Sequence, residues 1–204
     1  MNRTAMDGER WLIAGLGNPG PGYAGNRHNA GYMTADVLAE RAGARFRAGK
    51  FRAMATAGHL AGFGVIIIKP VTFMNDSGVA VGGVSGYHRL GAGQIVVIHD
   101  ELDLPFGTIR LKRGGGDNGH TGLRSVTAHL GTRDYYRVRI GIGRPPGRMD
   151  PAAYVLRDFS AAERKELPLV LERAADAVES LLASGLAAAQ NAFHGDGPAG
   201  AGGY

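Results

Sequence analysis

Residues 11–20 read WLIAGLGNPG, an apolar run that passes directly into a G-x-G-x-x-G spacing. Such a spacing after a strand is the mark of dinucleotide-binding folds, where a helix starts inside the glycines and its N-terminal N–H groups face a pyrophosphate. Here the continuation is PGPGYAGNRHNAG (residues 19–31), and its prolines and further glycines push the next helix too far downstream. The acidic residue that should end a second strand is also missing, since Asp36 falls within a helical pattern. The stretch therefore reads as a buried strand followed by a sharp backbone turn that holds Asn18 outward. A nicotinamide- or flavin-dependent oxidoreductase is not expected, and NAD should not raise the melting temperature.

Strands and helices alternate outward from this point. Met33, Val37 and Leu38 recur at helical spacing between Ala30 and Ala42. Residues 51–60 (FRAMATAGHL) and 63–70 (FGVIIIKP) read as a hairpin turning at Ala61 and Gly62. A glycine-containing helix follows TFMNDSG and runs to about Leu90. Residues 94–105 (QIVVIHDELDLP) start as a buried strand and become polar; 106–113 and 135–145 read as two more strands, with a short helix over 119–130 between them. Ser160 and Glu163 form a capping box for an amphipathic helix reaching Leu182, with Pro168 inside it. The pattern predicts an α/β fold: one domain, with a twisted mixed β-sheet flanked by helices. The expected divisions are a flexible extension over 1–10, the domain over 11–194 and a disordered glycine-rich tail over 195–204.

Composition narrows the class. The 204 residues include 34 glycines and no cysteine, so loops carry much of the architecture, and disulfides and thiolate metal sites are ruled out. The polar first ten residues and the short longest apolar run (GVIIIKP, 64–70) predict a soluble cytoplasmic protein with no membrane partner. A net charge of +5 and a pI near 9.7 suit a polyanionic partner such as nucleic acid.

Polar residues gather where strands end. NRHN (26–29) precedes a helix, Asn75 and Asp76 follow a strand, and His99 and Asp100 close an apolar strand. Strand ends of an α/β sheet line the usual ligand crevice, so these segments are expected to converge. Each residue has a plainer reading: Asn26, Asn29 and Asp76 as helix caps, Met74 as core, His99 and His120 as structural histidines.

Taken together, GLGNPGPGYAGNRHNAG (15–31), KPVTFMNDSG (69–78), HDELDLPFG (99–107), GGGDNGHTGLRS (114–125) and YYRVRIGIGRP (135–145) resemble the bacterial peptidyl-tRNA hydrolase family in order and spacing. The resemblance covers about residues 11–190. It implies a single α/β domain that hydrolyses the ester between a peptide and the 3′ end of tRNA, needing neither organic cofactor nor metal. It also implies His28 as the catalytic histidine, Asp100 as its carboxylate partner, and Asn18 and Asn75 as substrate-binding asparagines. Tyr23 and Met74 match residues lining the site, and Lys112 and Arg139 match basic residues that meet phosphate of the acceptor stem. Side-chain alternation in the strand puts Arg110 on the same face as Lys112, so both are expected to meet phosphate. A monomer is expected. One departure stands out: where the family has GHNG this chain has GHTG, so Thr121 replaces an asparagine that holds substrate or water. Asn118, three residues earlier, is a candidate substitute. A non-catalytic RNA-binding relative of the same fold is the alternative that Thr121 leaves open.

Overall fold

In the computed structural model, which describes residues 10–195, the opening run forms strand β1 (Arg10–Gly15), whose last five residues are all buried. Helix α1 (Ala30–Arg41), β2 (Arg47–Ala48), β3 (Ala53–Leu60), β4 (Phe63–Pro70), α2 (Ser77–His88) and β5 (Ile95–Glu101) follow. Next come β6 (Ile109–Arg113), α3 (Thr121–Leu130), β7 (Tyr136–Gly141), α4 (Pro151–Val155) and α5 (Ala161–His194). β1 begins at Arg10, one residue before the expected boundary. The rest of the proposed extension (1–9) and nearly all of the proposed tail (196–204) lie outside the described residues.

The described strands form one seven-stranded sheet in the order β2-β3-β4-β1-β5-β7-β6. β4, β1, β5 and β7 run parallel, while β2–β3, β3–β4 and β6–β7 are antiparallel. Burial on both faces explains why β1 and the central stretches of β4 and β5 read as continuous apolar runs. Trp11 and Ile13 face a core completed by α1 and α5; Leu12 and Ala14 face a second core under α2 and α3. The hairpin turns where expected, with Ala61 and Gly62 both at positive φ, as its two-residue loop requires.

The glycines of the opening motif serve close approach rather than a cofactor. A Cβ on Gly15 would stand 2.2 Å from the Gly31 carbonyl oxygen, and one on Gly31 would stand 2.3 Å from that of Ile98. Backbone therefore meets backbone where α1 crosses β1 and β5, and this draws residues 26–30 over the sheet's end. Gly20 sits at φ 105 in the sharp turn beyond Asn18.

Several local expectations change. Asp76, Asn29 and Asn26 precede α2, α1 and the short turn Arg27–Asn29 without making side-chain caps; the Asn29 amide is drawn instead to Asn18 and the Asn26 amide to Asp158. α5 continues past Leu182 and through Pro168, and its regular path breaks at Gly185 (φ 80, ψ 172). Beyond that break the chain reaches the outer edge of the sheet. Gln190 Nε2 donates to the Leu111 carbonyl, and His194 Nε2 accepts the Leu111 N–H, so both backbone groups of this edge residue are paired.

Candidate active site

The carboxyl ends of β1, β4 and β5 open into a cleft of about 710 Å³, lined by Asn18, Tyr23, His28, Met74, Asn75, Asp100, His120 and Thr121 among others. It lies where the connections leaving the adjacent strands β1 and β4 diverge, to α1 on one face of the sheet and α2 on the other, the usual ligand crevice of open α/β folds.

At its floor, His28 Nδ1 is 2.9 and 3.0 Å from the two Asp100 carboxylate oxygens. Asp100, 2% exposed, can only accept. The proton of neutral His28 therefore sits on Nδ1, and Nε2, which has no protein partner among the described residues, faces the cleft. Burial works against charging this imidazole, but the charge and hydrogen bond of Asp100 outweigh it and hold the His28 pKa above 6.5. For Asp100 burial alone would act upward; His28 and His120 overcome it and keep the carboxyl well below the usual range.

His120 is the participant that sequence reasoning missed. Its Nδ1 accepts the Leu123 N–H at 3.3 Å, capping α3, so its proton lies on Nε2 and is donated to Asp100 Oδ1 at 3.0 Å. No local signal announces this role, because 20 residues and a glycine-rich loop separate it from Asp100. His99 stays structural, as expected: it is 1% exposed, its Nδ1 lies 2.7 Å from the Asp100 carbonyl, and burial holds its pKa well below 6.5, with His120 adding to the effect. Three ligand atoms from His28, Asp100 and His120 lie within 4.8 Å of one another, a spacing a divalent metal can use. Ligation through His120 Nε2 would move its proton to Nδ1, against the Leu123 N–H, so the donors are arranged for sharing protons.

The asparagines divide their work. Asn29 clamps the opening loop by accepting the Asn18 N–H and donating to the Asn18 carbonyl, both at 2.9 Å. Asn18 Oδ1 then accepts the Met74 N–H at 2.7 Å, locking the loop after β4 to the loop after β1. This leaves the Asn18 and Asn75 amide nitrogens without protein partners among the described residues at the cleft. Met74 is buried beneath, and Tyr23 meets the exposed Phe73 edge-on at 6.3 Å. Thr121, exposed at the start of α3, lines the cleft. Asn118 does not stand in for the missing asparagine: its Nδ2 donates to Glu101 at 2.9 Å and also to Asp103.

The basic residues differ in availability. Arg110 and Lys112 share a face with Arg139 and Arg137 across the β6–β7 pair. Arg110 donates to the Phe193 carbonyl at the end of α5, and Arg139 is paired with Glu101 at 3.0 Å. Lys112 has no ion-pair partner among the described residues; burial, then Arg139 and Arg137, lower its pKa. Arg137, fully buried, donates to the Gly115 and Gly116 carbonyls and so shapes the loop between Lys112 and His120.

Sheet and cleft define an α/β protein with a carboxylate-braced imidazole at its strand ends. Comparison with known proteins makes this particular. The profile of the family described as peptidyl-tRNA hydrolase matches residues 12–199, and the chain belongs to that family. The peptidyl-tRNA hydrolase of Frankia alni is 59% identical over 194 residues, covering 95% of this chain and 98% of that protein. That of Streptomyces coelicolor is 56% identical over 200 residues, covering 95% and 100%. The solved peptidyl-tRNA hydrolase of Acinetobacter baumannii superposes with a TM-score of 0.87 at 34% identity, covering 96% of this chain and 100% of that one. The activity is therefore peptidyl-tRNA hydrolysis, and the non-catalytic RNA-binding alternative is not favoured. No helix among the described residues is long and apolar enough to cross a membrane.

Proposed function

We propose that the chain cleaves peptidyl-tRNA by a single attack of water on the ester carbonyl, with His28 as general base. The observation that carries this reading is the His28–Asp100 contact, which leaves a lone pair on His28 Nε2 in the cleft. Water placed between that nitrogen and the acyl carbon gives up a proton to Nε2 as it attacks, and Asp100 stabilises the imidazolium. Negative charge then develops on the carbonyl oxygen. The Asn75 and Asn18 amides, free of protein partners, are the donors in reach of the cleft, and such a donor is worth ~3 kcal/mol. Collapse expels the ribose oxygen of the tRNA 3′ end, which takes the proton from His28. No covalent enzyme intermediate is needed. The purified protein incubated with a peptidyl-tRNA should release free peptide and intact tRNA in equal amounts; a covalent peptidyl-enzyme trapped by acid quench would contradict the direct attack.

Substrate orientation follows from the two sides of the cleft. Tyr23, Phe73, Val155 and Leu156 offer apolar surface to a peptide. Of the three basic residues expected to meet phosphate, Lys112 is the one without an ion-pair or hydrogen-bond commitment among the described residues, with Arg139 nearby once a phosphate competes with Glu101. Lys112→Ala should weaken tRNA binding regardless of sequence and reduce the salt slope of log K by about 1. Arg110→Ala should leave that slope alone, since its guanidinium is committed to the end of α5. Fluorescence titration of deacylated tRNA at several salt concentrations separates the two; equal slope changes would return Arg110 to the phosphate site. A cytoplasmic monomer suits this role.

Thr121→Asn tests the departure from the family pattern. An amide there adds donors on a longer arm, and one extra hydrogen bond should raise kcat/KM for peptidyl-tRNA by about fivefold. An unchanged value would mean that Asn18 and Asn75 already supply the contact.

A further inference from the structure

We propose that Arg27, held by Glu163, is a positioning residue for this reaction: it fixes the backbone from which His28 projects and so keeps the imidazole aligned on Asp100. The inference rests on the role proposed for His28 above. Arg27 immediately precedes His28 in the short turn Arg27–Asn29, and its guanidinium points away from the cleft. Nη2 meets Glu163 Oε2 at 2.7 Å, while Nη1 donates to the carbonyls of Asp158 at 2.7 Å and Arg157 at 3.3 Å. The guanidinium carbon lies 4.3 Å from the centre of the Tyr154 ring and 5.6 Å from that of Phe159.

The main chain is tied to the same place. The Arg27 N–H donates to Arg157 and the Phe159 N–H to Gly25, making a small antiparallel bridge centred on Asn26 and Asp158. Asn26 Nδ2 adds a 2.7 Å bond to the Asp158 carboxylate. His28 is thus braced upstream by Arg27 and downstream by the Asn29 clamp on Asn18. The bracing reaches the cleft wall as well, because Tyr154 belongs to α4, whose Ala152 and Val155 line the cleft.

Charge and position can be told apart here. Burial and Asp100 set the direction of the His28 pKa, and the Arg27 guanidinium is committed to Glu163 and to the Asp158 and Arg157 carbonyls, so Arg27 acts by holding and not by tuning. The Arg27 and Glu163 side chains are 8% and 17% exposed, which leaves either one costly to keep charged without the other. Glu163 has a second duty: the same Oε2 accepts the Ser160 N–H at 2.6 Å in the capping box of α5.

That double duty supplies the test. Glu163→Gln can still close the capping box but cannot neutralise Arg27. In this variant kcat for peptidyl-tRNA should fall about tenfold, since small misplacements of a base are expensive, with KM within about twofold. The NMR titration midpoint of His28, assigned against the His28→Ala spectrum, should move down as its contact with Asp100 loosens. The double variant Arg27→Met/Glu163→Gln removes both charges, leaves neither orphaned, and should show the same two changes; it takes over the test if the single variant does not fold. A folded variant with wild-type kcat and an unmoved His28 midpoint would reduce Arg27 to packing. Full activity in His28→Ala would instead defeat the role of His28 itself, and the titration, which needs no turnover, keeps those failures distinct.

Discussion

His28→Ala is expected to lower kcat for peptidyl-tRNA by about a thousandfold while leaving tRNA binding within a few-fold of wild type. Among the described residues, the substitution removes the imidazole nitrogen of the cleft that is free to take a proton from water. His120 cannot replace it, since its Nε2 proton is donated to Asp100 and its Nδ1 is occupied by the Leu123 N–H. The amides of Asn18 and Asn75 remain to polarise the carbonyl, so residual hydrolysis above the spontaneous rate should persist. The fold should also persist, because Asp100 keeps the His120 bond and α1 is held by the Gly15–Gly31 approach and not by the imidazole. The phosphate contact proposed for Lys112 belongs to β6, beyond β5 and β7 in the sheet, and should be untouched. Single-turnover ester cleavage with enzyme in excess, beside titration of deacylated tRNA, measures both quantities. Retention of more than a tenth of the wild-type rate would remove His28 from the chemistry.

How much of this was legible in advance depended on the range of each signal. The hairpin at Ala61–Gly62 and the capping box of Ser160 and Glu163 were readable because turn and cap preferences act over a few residues. Burial on both faces made β1 and β5 readable as near-continuous apolar runs. Helix α4 was overlooked although Asp150 as cap and Pro151 at the first position announce it, because five residues carry no periodicity. In the site, His28 and Asp100 were named from the family resemblance; nothing local connects residues 72 positions apart. His120, the Arg139–Glu101 pair and the Arg110 bond to Phe193 were illegible for the same reason: each depends on which strand ends and loops the fold brings together. Asn118 failed as a substitute for the asparagine missing at position 121 because Glu101, at the end of β5, and Asp103, just beyond it, capture its amide.

Asp100→Asn should lower kcat by about a hundredfold, less than the loss at His28, and should move the acid limb of the pH–rate profile downward. Asp100 now accepts from two imidazoles at once. An asparagine there offers one oxygen acceptor, and its NH₂ would oppose whichever N–H it faced. With its oxygen at the Oδ1 position the amide still accepts from both imidazoles, but its NH₂ opposes the His28 Nδ1–H. Flipped, its NH₂ opposes the His120 Nε2–H, and either way the opposed imidazole is pressed to turn its proton to the other nitrogen. For His120 that conflicts with the Leu123 N–H; for His28 it buries the lone pair needed by water, so a share of the population loses its base. The shift in pH follows by sign. Neutral His28 is the active form, and the carboxylate raises its pKa above 6.5 against burial, so the wild-type rate climbs with pH through a midpoint above that value. Without the carboxylate's charge, burial acts unopposed and the midpoint should fall below 6.5. The variant would thus be slower at every pH yet reach its plateau in more acidic solution. Measuring kcat/KM from acid to neutral pH for both proteins decides it: coincident midpoints would mean that some group other than the His28–Asp100 pair governs proton removal.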